Sequence, residues 1–87
     1  MHEAGLMKAL MRGIETVARE EKARRVVKIS VWLGALSHMS PAHFNEHFED
    51  SARGTLAEGA EVECHVSDDI HDPRAQDVVL EGVEVET

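Results

Sequence analysis

An α/β (α+β) fold is predicted, a small three-stranded mixed sheet with two helices packed on one face, in the order αβαββ. Three observations predict it. One apolar stripe recurs at helical spacing, three later runs alternate in the manner of strands, and a serine–proline pair opens a second helix between the first two of them. A sheet this small is expected to bury one face against helices and leave the other to solvent.

The first helix is expected from about Glu3 to about Lys22. Leu6, Leu10, Ile14 and Val17/Ala18 make its stripe, and Met7 and Met11 widen it. Arg12, Glu15, Arg19, Glu20 and Lys22 fall largely outside, and Arg24-Arg25 follow, where cations complement the helix's negative end. Methionines on such a stripe read as core rather than as metal ligands. Val27, Ile29, Val31 and Leu33 then alternate with Lys28, Ser30 and Trp32, a half-buried strand closed by Gly34.

Ser40-Pro41 starts the second helix, the serine as cap and the proline where its missing N–H costs nothing. Phe44 and Phe48, four apart, form its buried edge, and it is expected to end near Gly54. The next strand runs from Ala60 to about Val66, with Val62, Cys64 and Val66 on one face. A polar stretch, Ser67 to Gln76, carries Pro73 as a breaker. The last strand, Val78 to Val85, changes parity at Gly82. A bulge there would return Val78, Leu80, Val83 and Val85 to a common face.

Eighty-seven residues are read as one domain, 1–87, with no repeat and no second unit. Seventeen acidic against nine basic residues give a formal net charge of −8, and Trp32, Phe44 and Phe48 are the only aromatics. Phosphate neutralisation and base stacking both lack their residues, so nucleic acid is excluded as a partner. An acidic surface suits cations or basic protein surfaces. The single cysteine, Cys64, forbids an internal disulfide. With no signal-peptide pattern and no apolar run near the roughly 18 residues that span a bilayer, the expectation is a cytoplasmic protein off the membrane.

Candidate chemistry begins at Met1-His2-Glu3. A histidine at position 2 sets a terminal amine, a backbone amide and an imidazole side by side. These are three nitrogens in the planar arrangement that Ni(II) and Cu(II) favour. Glu3 adds an oxygen or leaves the fourth position to a partner's ligand. The plain alternative is a solvated first helical turn with Glu3 near its positive end. His43 and His47, at i and i+4, could share one ion, with His38 just before the helix. Because Phe44 and Phe48 take the buried side, a solvated or boundary pair is the plainer reading and an auxiliary metal site the alternative. Cys64 and His65 are adjacent on a strand and point to opposite faces, and Cys64 is in phase with the core. Asp68, Asp69 and Asp72 make a turn without the ligand pattern of a calcium loop. No nucleophilic triad, phosphate loop or dinucleotide fingerprint occurs, so no enzyme is expected.

Together these residues resemble the HypA/HybF nickel-insertion proteins of NiFe-hydrogenase (and sometimes urease) maturation. The resemblance rests on Met1-His2-Glu3 with Leu6, Arg25-Val26-Val27, Val31 to Leu36, Ser37, Pro41 and Phe48. It continues through Gly54-Thr55-Leu56-Ala57-Glu58-Gly59-Ala60, and Val83-Glu84-Val85 fits the last strand loosely. It implies a metallochaperone in which His2 is the nickel ligand, with terminal or nearby backbone nitrogens and Glu3 beside it. The implied partners are the hydrogenase large subunit and a HypB-like GTPase. Family members insert a zinc domain with two CxxC pairs before the last strand, whereas here that place holds only Ser67–Gln76. Four thiolates cannot come from one cysteine, so no zinc is expected. A zinc-less scaffold or regulator of maturation, or a metal-sequestering protein using the six histidines, are the competing readings. A homodimer through an exposed strand edge is compatible with this fold.

Overall fold

The computed structural model describes residues 3–87, with side chains from Gly5 onward. Its elements are α1 (Glu3–Glu20), β1 (Arg25–Leu33), α2 (Pro41–Ala52), β2 (Glu61–Val66) and β3 (Val78–Glu86). The strand order is β2-β1-β3, with β1 parallel to β2 and antiparallel to β3. This is the mixed three-stranded sheet in the predicted αβαββ order, and α1 and α2 cover one face of it.

α1 stops two residues short of the expected Lys22. Lys22 takes a left-handed backbone, φ 54°. Lys22 N–H then donates to Arg19 O at 3.1 Å and Ala23 N–H to Ala18 O at 2.9 Å. These two bonds satisfy the last carbonyls of the helix and turn the chain straight into β1. α2 begins as its sequence demands: Ser40 Oγ accepts from His43 N–H at 3.1 Å, with Pro41 in the first turn.

Two bulges set the faces of the sheet. Against β3, Val26 pairs with Val85 and Lys28 with Glu84, so Val27 is an extra residue on β1. Val26 is therefore buried and Val27 only half-buried. The simple alternation had placed Val27 inward, and the bulge overrides it. Further along, Ser30 pairs with Gly82 and Val31 with Leu80, which leaves Glu81 extra on β3. Val78, Leu80, Val83 and Val85 consequently face Leu33, Val31, Ile29 and Val26, the common apolar face expected from the parity change at Gly82.

The core lies between this face and the helices. Met7, Leu10, Met11, Ile14 and Ala18 come from α1, and Phe44, Phe48 and Ala52 from α2. Cys64 packs against it as its phase requires. Val66, expected inward with Val62 and Cys64, is instead 62% exposed. It is the last residue of an outer strand, beyond the buried set.

The segment between β2 and β3 docks on the end of β1. Gly34 N–H donates to Asp77 O at 2.9 Å, and Leu36 N–H to Ala75 O at 2.7 Å. Ala75 is buried in this contact. A β-carbon on Gly34 would press on the Ala75 carbonyl oxygen, with Ala75 C at 2.6 Å and Arg74 O at 2.8 Å. Backbone cannot rotate aside as a side chain can. Gly34→Ala is therefore expected to cost at least about 1–3 kcal/mol, the usual range for overpacking. Urea unfolding measures it, and faster amide exchange at Leu36 locates the damage. Wild-type stability in the variant would contradict this reading.

Candidate metal centre

Met1 and His2 of the expected metal-binding tripeptide lie outside the described residues, as does the side chain of Glu3, whose backbone opens α1. The fold does define the ground beside it. α1 passes into β1 through a tight turn, so its last residues lie beside the start of that strand. α2 connects two parallel strands and must run back along β1. Where that return ends, Val26 N–H donates to Leu56 O at 2.9 Å. Both helices therefore run against β1 and begin at one end of the molecule. A cavity of about 790 Å³ at this end is walled by Leu6 and Leu10 of α1 together with Leu36, His38 and Met39 of the loop between β1 and α2.

His43 and His47 are the third and seventh residues of α2, both half-buried. Their Nε2 atoms are 2.9 Å apart, with ring centroids 4.7 Å apart and planes tilted by 35°. They form the boundary pair expected from the spacing of Phe44 and Phe48. His38 is exposed, on a left-handed backbone with φ 59°, and does not join them. Among the described residues no group of three His, Cys, Asp or Glu side chains is placed to hold a metal ion.

Cys64 and His65 lie on opposite faces of β2. Burial raises the Cys64 pKa, which favours the thiol over the thiolate. His65 stands on the face that no helix covers, beside Trp32 in the parallel register. Its Nδ1 donates to Glu81 Oε1 at 2.6 Å, and Nε2 lies 3.5 Å from Glu63 Oε2. Lys28 Nζ also donates to Glu63, at 3.3 Å, which raises the lysine's pKa. Sequence reading paired His65 only with its neighbour Cys64. The i, i+2 spacing of Glu63 and His65 was a legible signal, but only the β3 bulge aims Glu81 across β1.

The Glu81 hydrogen bond, then its charge, raise the His65 pKa above its ordinary 6.5. A raised folded-state value means that the pairing helps stability below the unfolded pKa. It is lost as pH climbs through the folded one. The group is exposed, so the effect on folding is small. Following the His65 ring by NMR should give a titration midpoint that falls in Glu81→Gln. An unchanged midpoint would remove Glu81 as the cause.

The remaining polar loop behaves as a turn. Asp72 N–H donates to Asp69 O at 3.3 Å, His71 N–H to Asp69 Oδ1 at 2.9 Å and Arg74 N–H to Asp72 Oδ1 at 2.7 Å. Arg74 lies over the Trp32 ring, its Cζ 4.8 Å from the centroid. No helix among the described residues is long and apolar enough to cross a membrane.

The sequence profile of a family described as "Hydrogenase/urease nickel incorporation, metallochaperone, hypA" matches residues 1–70. A hydrogenase maturation factor HypA from Archaeoglobus fulgidus is 33% identical over 66 residues, which are 76% of this chain and 60% of that protein. One from Aquifex aeolicus is 39% identical over 62 residues, 71% of this chain and 54% of that protein. The chain thus matches between about half and three-fifths of the length of these relatives. The solution structure of the Ni metallochaperone HypA from Helicobacter pylori superposes with a TM-score of 0.79 at 16% identity, covering 99% of this chain and 98% of that one. At that identity the likeness concerns the fold.

Proposed function

The chain belongs to the HypA family of hydrogenase and urease nickel-incorporation proteins, and from that premise we propose that it is a nickel metallochaperone, binding Ni(II) through Met1-His2-Glu3 and helping to insert it into NiFe-hydrogenase. The observation that carries the reading is the family match through residues 1–70, which takes in this tripeptide. The chemistry of the donors supports it. An amine, a deprotonated amide and an imidazole suit the planar preference of Ni(II) and discriminate against hard cations. Peptide deprotonation makes the site pH-dependent. A fourth position left to Glu3 or to a client's donor lets the ion be taken away. The protein's part is to carry an ion; the hydrogenase large subunit and a HypB-like GTPase are the proposed partners, in the cytoplasm.

We assign no thiolate-bound structural zinc to the protein. One cysteine does not make a four-thiolate site. The same feature favours a second reading, a partner-binding scaffold that has lost nickel delivery. Blocking the terminus tests the first reading. With the amine acetylated, or with residues added ahead of Met1, Ni(II) affinity should fall sharply while the fold, followed by far-UV circular dichroism, is kept. Unchanged affinity would remove the terminal amine from the site, and absence of Ni(II) binding in the native protein would leave the scaffold.

A further inference from the structure

The described structure brings two imidazole nitrogens to one point. His43 and His47, one turn apart on α2, hold their Nε2 atoms 2.9 Å apart. Two nitrogens bound cis on a square-planar ion at 2.0–2.1 Å are separated by √2 times that length, about 2.9 Å, and on a tetrahedral ion by about 3.3 Å. The observed spacing is that of a cis pair, and small ring rotations reach the tetrahedral one. Without an ion, one Nε2–H donates to the other ring. To bind, the donor ring moves its proton to Nδ1, and both Nε2 lone pairs then face the metal.

The surroundings are of mixed charge. His47 borders an open groove between α1 and α2, where Glu15 and Asp50 add negative charge against Lys8 and Arg12. The groove also touches Met7, one turn along from Glu3. Because both helices begin at the same end, the pair lies on the side of the molecule where the N-terminal tripeptide joins α1.

We infer that His43 and His47 form a second metal site, a two-imidazole station for a divalent transition-metal ion such as Ni(II), Cu(II) or Zn(II). The pair supplies two of the ion's ligands. The inference does not depend on the N-terminal site.

The test uses the full chain carrying His2→Ala, which removes the N-terminal imidazole and keeps the pair. Zn(II) is added while the imidazole nitrogens are followed by long-range proton–nitrogen NMR. The expected result is a saturable shift of both His43 and His47 Nε2, both rings ending as Nδ1–H tautomers. A His43→Gln/His47→Gln variant should lose that response while keeping its amide spectrum elsewhere. Rings unmoved by excess Zn(II) would overturn the proposal and leave a hydrogen-bonded pair. Shifts confined to His38, His65 or His71 would overturn it too. Loss of N-terminal nickel binding is read separately, as a difference between the native chain and His2→Ala.

Discussion

Replacing Phe44 by alanine is expected to cost about 3–5 kcal/mol. For an 87-residue chain, total stability at about 0.05–0.15 kcal/mol per residue is about 4–13 kcal/mol, so the variant should sit near its unfolding threshold. Phe44 is 0% exposed, and its ring is stacked on Phe48 with centroids 6.2 Å apart. Only three aromatics serve the whole chain, and the third, Trp32, lies on the other face of the sheet under Arg74. No other large ring can move into the space between α1, α2 and β1. The cavity therefore stays, and its cost adds to the lost transfer energy. Urea unfolding by circular dichroism provides the measurement. A loss below about 1 kcal/mol would mean that the core relaxes around the gap and that α2 is held by something other than its phenylalanines.

The helices were legible because their signals are local. Ser40-Pro41 states a start, and Phe44 and Phe48 mark a buried side that requires no knowledge of the partner. The Gly82 parity change was legible for the same reason, since a strand cannot keep one face through it without an extra residue. The bulge at Val27 left no such mark. Val26 and Val27 are both β-branched, and only the pairing of Val85 and Glu84 decides which turns inward. Val66 shows a similar limit, because alternation gives a face but not how far the helices extend over it. At the candidate site, the convergence of His43 and His47 followed from i, i+4 spacing, whereas the reach of Glu81 to His65 needed the strand order. The placement of both helix starts at one end needed the parallel pairing of β1 with β2, a long-range fact.

The second large effect expected is on nickel. Removing a partner one shell out from a metal already costs about 10–100-fold in affinity. Removing the imidazole itself should cost about 100-fold or more, equivalent to about 2.8 kcal/mol. His2 precedes α1 in the sequence, and His2→Ala is expected to keep wild-type resistance to urea. This separates it from Phe44→Ala, where any change in binding would follow from unfolding.

The most direct measurement is a calorimetric Ni(II) titration of the chain with a native, untagged amino terminus, beside the His2→Ala variant. The account predicts a one-to-one event of micromolar or tighter affinity in the native chain that is lost in the variant. Equal one-to-one binding by both proteins would contradict it and move the nickel site away from Met1-His2-Glu3.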